Sequence, residues 1–261
     1  MESVKRPKTD EEKRDIFFQR KVAKRMGKAI SDFELIEDGD RIMVGVSGGK
    51  DSLALLELLA LRRKFKKQNF EVIAVHINVL ELPYQVDKDF LDEFCRKLDV
   101  PMVYRDINVD FERPSKKPAC FRCSWHRRTT LFKMTDELKC NKLALGHHMD
   151  DALETLLMNM MYQGAVCSMP AKLSMFQGNI ILIRPLIYLR NEEMREYSRI
   201  SNFVLEKERC PHEDVTKRKE TNKLIDRLAG DDERIRTNLF RSMSNVQTEY
   251  LPIIPKKDKL Q

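Results

Sequence analysis

From Arg41 onward, short runs rich in Val, Ile and Leu alternate with longer stretches in which apolar positions recur every three or four residues. The short runs predict strands near 41–46, 70–78, 101–107, 142–147 and 180–184; the longer stretches predict helices near 50–66, 85–98, 123–139 and 149–163. Strands joined through helices pair in parallel, so the expected fold class is α/β, a parallel sheet sandwiched by helices. Ligands of such sheets gather at the carboxyl ends of the strands, which directs attention to the loops after strands one, three and four. A helix is also expected over 11–30. Beyond about residue 190 the pattern turns helical and charged, with helices expected over 190–200, 214–229 and 231–247, no internal repeat, and a frayed KKDKLQ tail. The expected division is a basic helical N-terminal region (1–40), an α/β domain (41–190) and a helical C-terminal region (191–261).

At 261 residues and 42% hydrophobic content the chain can bury a sizeable core. Its apolar runs fall short of a membrane span, and MESVKRPKTDEEKRD holds no hydrophobic signal core, so a cytoplasmic protein without a membrane partner is expected. The net charge is +7, from 48 Lys and Arg against 41 Asp and Glu, and it is unevenly placed. Lys13 to Lys28 carries seven basic residues against Asp15 alone, Arg62 to Lys67 holds five, and Arg113 to Lys133 holds seven with no carboxylate. A solvated helix face explains any one of these. All three together, with Phe17, Phe18 and Trp125 interleaved, favour a polyanion, RNA ahead of acidic protein, and make Lys21, Lys24 and Arg25 of the 11–30 helix candidates for a backbone clamp.

Candidate chemistry begins in RIMVGVSGGKDSL, residues 41–53, which contains three of the nine glycines. A strand that breaks at Ser47-Gly48-Gly49 and restarts as a helix aims backbone N–H groups and a helix N-terminus at one point, an anion site that Lys50 would further neutralise. A Walker loop is excluded: only three residues separate Gly45 from Gly49, and Asp51 follows the lysine where Ser or Thr is required. An ordinary turn capped by Ser47 or Asp51 is the plainer alternative, made less apt by Lys and Asp together at the mouth. The loop after strand four reads GHHMDDALET, with Gly146, His147 and Asp151 expected to face the same cleft. Its adjacent carboxylates suit either Mg²⁺ beside nucleotide phosphates or a helix cap. Met158, Met160 and Met161 read as core.

The loop after strand three contains Cys120-Phe-Arg-Cys123, a spacing that suits a metal centre, a redox disulfide or half of a larger site. Of the other cysteines, Cys95 lies on an apolar helix face, and Cys140 and Cys167 lack ligand-like neighbours. Cys210 sits in the polar EKERCPHED, where a Cys-Pro step suits an iron–sulfur ligand; His212 is either a fourth zinc ligand or a surface histidine.

SGGKDS after a strand resembles the PP-loop ATP pyrophosphatases. With GHHMDDALET, IRPLIYL, the CxxC and a distant third Cys, the chain is similar to the tRNA 2-thiocytidine synthetase family, TtcA, over about residues 14–250, including DFELIEDGDRIMV, MPAKLS and FRSMSNVQ. The resemblance implies a PP-loop, adenine nucleotide α-hydrolase-like fold and ATP-dependent replacement of the C2 oxygen of cytidine, at position 32 of tRNA, by sulfur. It implies three cofactors or cosubstrates: ATP, Mg²⁺ and a [4Fe–4S] cluster. Attack of the base oxygen on the α-phosphate would release pyrophosphate, and sulfide held at an open iron would then displace AMP. The residues carried over are Ser47, Gly48, Gly49, Lys50, Asp51, Ser52, His76, Gly146 and His147 for ATP; Lys50, Asp51 and Asp151 for catalysis, with Asp51 and Asp151 on Mg²⁺; and Cys120, Cys123 and Cys210 for the cluster. Lys207 stands where relatives often place a further Cys. Arg127 and Arg128, one helical turn beyond Cys123, are candidates for tRNA phosphate. The implied partners are tRNA and a sulfur donor, a cysteine desulfurase or free sulfide, and the implied assembly is a homodimer.

Three rivals remain at this point. An amide- or lysidine-forming PP-loop ligase would not need Cys120, Cys123 and Cys210; a zinc-containing RNA-binding module would bind without turnover; a 2-thiouridine-forming enzyme usually carries paired-Cys zinc elements at both ends, whereas the first 94 residues here contain no cysteine.

Overall fold

The computed structural model describes residues 9–64, 68–82, 86–204 and 217–252. Helix α1 (Asp10–Asp32) opens on a capping box, Thr9 Oγ accepting from the Glu12 N–H while the Glu12 carboxylate accepts from that of Thr9, and it buries Val22, Met26, Ala29 and Ile30 along one stripe. The sheet then follows as β1 (Arg41–Gly45), α2 (Lys50–Lys64), β2 (Glu71–Val79), α3 (Lys88–Leu98), β3 (Met102–Ile107), α4 (Ala119–Glu137), β4 (Lys142–Ala144), α5 (Met149–Gln163), β5 (Lys172–Met175) and β6 (Ile180–Ile183). Helices α6 (Asn191–Ile200), α7 (Lys217–Ala229) and α8 (Glu233–Ser242) complete the chain.

The strand order is β3-β2-β1-β4-β6-β5, parallel except for β5, which runs antiparallel to β6. The chain winds outward from β1 through β2 to β3, then crosses back to place β4 on the other side of β1. The crevice beyond the carboxyl ends of β1 and β4 is therefore the switch point at which ligands of open α/β sheets bind. One sheet face packs Met43, Val75, Leu143 and Leu182 with Met134 of α4. Helix α2 is buried along most of its length and packs against α6, where Tyr197 donates to Glu57 at 2.7 Å. At the amino end of β4 Lys142, 1% exposed, pairs with Asp40 at 2.7 Å and donates to the Leu35 carbonyl, fastening the approach segment to β4.

The sheet departs from the expected all-parallel form. Strand β5 is four residues long and half exposed at the edge, so it has no apolar run to announce it. Strand β4 is three residues rather than six, because the chain turns at Leu145 into the following loop. Helix α4 begins at Ala119 instead of 123: Pro118, in extended conformation, serves as its N-cap. Cys120 and Cys123 thus stand on the first turn of a helix and not in a loop.

The contacts divide the chain into two compact units, Met1–Ala152 with Pro170–Thr216, and Leu153–Met169 with Lys217–Gln261, the boundary falling within α5. In the second unit buried Glu154 accepts from Asn222 at 2.6 Å and pairs with Arg218 at 3.1 Å, while Asp226 pairs with Arg236. Among the described residues no helix is long and apolar enough to cross a membrane.

Candidate active site

The turn after β1 is closed by its own serines. Val46 N–H donates to Val75 O at 2.8 Å, Ser52 Oγ donates to Gly49 O at 2.8 Å, and Ser52 Oγ in turn accepts from Ser47 N–H at 3.1 Å. Gly48 sits at φ +86°, where a side chain would be strained. The first N–H groups of α2 have no intrahelical acceptor, so this turn presents donors and the positive end of the helix to the crevice. Lys50 Nζ lies 2.8 and 2.7 Å from the two oxygens of Asp51.

The loop after β4 comes directly against this turn. A Cβ built on Gly146 would lie 2.9 Å from both the carbonyl carbon and the oxygen of Asp51 and 3.0 Å from Ser52 N, so only glycine allows the approach. The next residues deliver side chains to the same place. His148, buried, has Nε2 4.0 Å from Asp51 and Nδ1 3.5 Å from Asp151 and 3.8 Å from Asp150, with no hydrogen-bond partner at Nδ1. Asp150 accepts from the Asn191 N–H at 2.7 Å at the start of α6, and Asp151 accepts from the His148 N–H at 2.9 Å, a helix-capping contact. Among the described residues no three His, Cys, Asp or Glu side chains are grouped to hold a metal ion. Asp51 and Asp151, on either side of one imidazole, offer two carboxylates of the kind Mg²⁺ uses when phosphates complete its shell.

A buried guanidinium and a buried imidazole flank these groups. Arg184, 7% exposed at the end of β6, donates through Nε to His147 Nδ1 at 3.3 Å and through Nη1 to Pro170 O at 2.6 Å. The contact makes His147 Nδ1 the acceptor. Burial pushes the Arg184 pKa down to about 10, with Arg128 acting in the same direction and Asp151 against it, so the guanidinium remains charged at neutral pH. His76, at the far side of β1, is also buried. Its Nδ1–H donates to Val46 O at 2.8 Å, and burial lowers its pKa, helped by Arg127 and Lys88. Its ring thus braces the start of the glycine turn from behind.

Cys120 and Cys123 are half-buried thiols one turn apart, and Cys123 packs against Val79, Leu82 and Val109 at the carboxyl ends of β2 and β3. Arg127 follows on the same helix with a buried Nε that lacks a hydrogen-bond partner, whereas Arg128 is exposed. Paired soft donors at this spacing fit iron or zinc. Cys210, the third expected ligand, lies outside the described residues, as do Lys207 and His212. On α1, Lys21 and Lys24 are exposed, but the half-buried guanidinium of Arg25 is held by Glu193 and the Tyr188 carbonyl. Its place in the RNA clamp is therefore corrected to a bond between α1 and α6.

Two residues of this site escaped the sequence reading. His148 was masked by its neighbour His147. Arg184 carried a usable signal, a lone charge inside the apolar run IILIRPLI.

Residues 18–218 match the PP-loop domain family. A tRNA-cytidine(32) 2-sulfurtransferase of Paraburkholderia phytofirmans is 36% identical over 261 residues, covering 95% of this chain and 76% of that protein. One of the same name from Anaeromyxobacter sp. is 36% identical over 240 residues, covering 89% and 81%. Among solved structures, the U34-tRNA thiolase NcsA from Methanococcus maripaludis, with its [4Fe-4S] cluster, superposes with a TM-score of 0.70 at 21% identity, covering 93% of this chain and 82% of that one; the likeness is one of fold.

Proposed function

The chain belongs to the PP-loop family and, within it, to the tRNA-cytidine(32) 2-sulfurtransferases, and from that premise we propose that it adenylates the C2 oxygen of cytidine 32 and replaces it with sulfur. It is an enzyme, a tRNA sulfurtransferase. The observation that carries the mechanism is the contact of Gly146 with Asp51, which supports one cleft shared by the glycine turn and the His147–Asp151 loop.

In this cleft the Gly48 backbone donor, the α2 N-terminus and Lys50 hold the phosphates, and charge on the departing pyrophosphate is met by fixed dipoles. Asp51 and Asp151 would hold Mg²⁺, which would supply neutralisation of the triphosphate. His147, whose Nδ1 accepts from Arg184, faces the cleft as a ligand for ATP. The cytidine C2 oxygen attacks the α-phosphate, and pyrophosphate leaves. Sulfide then bonds to C2, and AMP departs with the former base oxygen. Cys120, Cys123 and Cys210 would hold a [4Fe–4S] cluster, which would supply delivery of sulfide to the activated base. Lys21 and Lys24 contact tRNA phosphate, and Arg128 does so beside the thiols. Sulfur comes from a cysteine desulfurase or free sulfide, and the enzyme acts in the cytoplasm as a homodimer.

Anaerobically purified protein is expected to be brown and to contain iron and sulfide. Cys210→Ala should remove colour and tRNA thiolation while leaving ATP binding intact. A colourless protein with stoichiometric zinc and full thiolation would overturn the cluster.

A further inference from the structure

Helix α4 carries two stripes side by side. Cys120, Cys123 and Arg127 stand at i, i+3 and i+7, the stripe whose Cys123 packs at the sheet's carboxyl edge and whose Arg127 Nε is buried. Phe121, Trp125 and Arg128, at i, i+4 and i+7, form the neighbouring stripe about a third of a turn around the helix. Phe121 is 50% exposed and Trp125 54% exposed. Two large rings one turn apart and half in water contribute little to a core.

Their surroundings are cationic. Lys117 Nζ lies 5.1 Å from the centre of the Phe121 ring, Arg128 is exposed, and the whole stretch from Arg113 to Lys133 has no carboxylate. His126 meets the Trp125 ring edge-on at 5.0 Å, limiting the rotation of the indole. Flat faces beside cations, on a stretch of chain that carries no carboxylate of its own, match single-stranded nucleic acid, whose bases stack and whose phosphates need neutralising. An acidic protein segment would satisfy the cations and leave the rings without a purpose, and a second copy of the same basic face would be repelled.

Resting on the tRNA-thiolation reading above, we propose that Phe121 and Trp125 form a stacking platform for an unpaired anticodon-loop base neighbouring the one that is modified, with Lys117 and Arg128 on the flanking phosphates. The platform lies one stripe away from the thiols, so the RNA segment it grips is the segment that must reach them.

Trp125 is the single tryptophan of the chain, so intrinsic fluorescence reports on it alone. Titrating the full-length protein with a synthetic anticodon stem-loop should quench that emission, and a perfectly paired RNA duplex of equal charge should bind without doing so. By filter binding, Trp125→Ala should weaken the stem-loop complex about 5- to 150-fold, the range for loss of one stacked base, with an unchanged salt slope. Trp125→Phe should recover most of the loss, and Arg128→Gln should lower the salt slope by about one phosphate contact. Unchanged emission at saturating stem-loop, together with wild-type affinity of Trp125→Ala, overturns the platform while continued thiolation leaves the enzyme assignment standing. Quenching by polyglutamate and not by RNA also overturns it. Quenching and weakened Trp125→Ala binding in a protein that never thiolates tRNA would support the platform and remove the reaction instead.

Discussion

Replacing Gly146 with alanine probes the junction on which the cleft depends. The added Cβ would lie 2.9 Å from the Asp51 carbonyl group, whereas ordinary contacts begin near 3.4 Å, so one loop must retreat by about half an ångström. The opposing atoms are backbone at the entrance to α2 and cannot swing aside as a side-chain tip would. Overpacking of this kind costs about 1–3 kcal/mol. Because Gly146 is not among the residues at positive φ, alanine also removes unfolded-state freedom and returns about 0.4–1 kcal/mol. The net destabilisation is then between about zero and about 2.6 kcal/mol, a shift of at most several degrees in Tm. Turnover should suffer more, because the same displacement separates His148 and Asp151 from Asp51; misplacements approaching 1 Å reduce rates by about 100-fold, and a loss of about 10- to 100-fold in kcat/KM is expected here. Thermal melting and tRNA-dependent pyrophosphate release measure the two effects. Gly27→Ala, whose Cβ meets only the tip of Arg62 at 3.2 Å, is the tolerant control. If Gly146→Ala melts and turns over like the wild type, the two loops do not touch and the shared cleft is wrong.

Lys50→Ala and Asp51→Ala should each abolish tRNA-dependent pyrophosphate release without unfolding the protein; wild-type turnover in either would refute its role. Lys142→Ala leaves the 4%-exposed Asp40 without its cation, and urea unfolding should show a loss of about 3–5 kcal/mol, towards the lower end because Asn141 and the Glu37 N–H still donate to that carboxylate. A loss under about 1 kcal/mol would contradict the burial of the pair. His76 has a lowered pKa, so the folded state binds fewer protons than the unfolded one below the ordinary value of 6.5; stability is full above that pH and falls as acidification approaches the lowered pKa. His76→Gln should flatten this acid limb in melting curves, and an unaltered limb would assign it to other groups. Lys21→Gln and Lys24→Gln should each reduce the salt slope of tRNA binding by about 0.9, an effect absent if α1 stands away from the RNA.

The parallel core was legible because β1, β2 and β6 are largely apolar runs bounded by turn residues. Strand β5 was not, since KLSM is short, half exposed and held by pairing with β6 that no local pattern encodes. The start of α4 was misjudged because Pro118 and the Cys120–Cys123 pair read as a loop, whereas Pro118 is the N-cap of the helix. The glycine turn could be read from its own residues, being a local device. What local reading could not supply was tertiary pairing: Arg25 looked like its exposed neighbours Lys21 and Lys24 until Glu193 and Tyr188, more than 160 positions away, claimed it. The same distance effect hid Arg184, whose meaning depends on His147 folding back to it.

Nucleoside mass spectrometry of tRNA from cells lacking this protein tests the central claim most directly. The account expects 2-thiocytidine to disappear, to return when the wild-type chain is supplied, and to remain absent with Asp51→Ala or Cys123→Ala. Retention of 2-thiocytidine in the deleted strain, with loss of 2-thiouridine in its place, would contradict it.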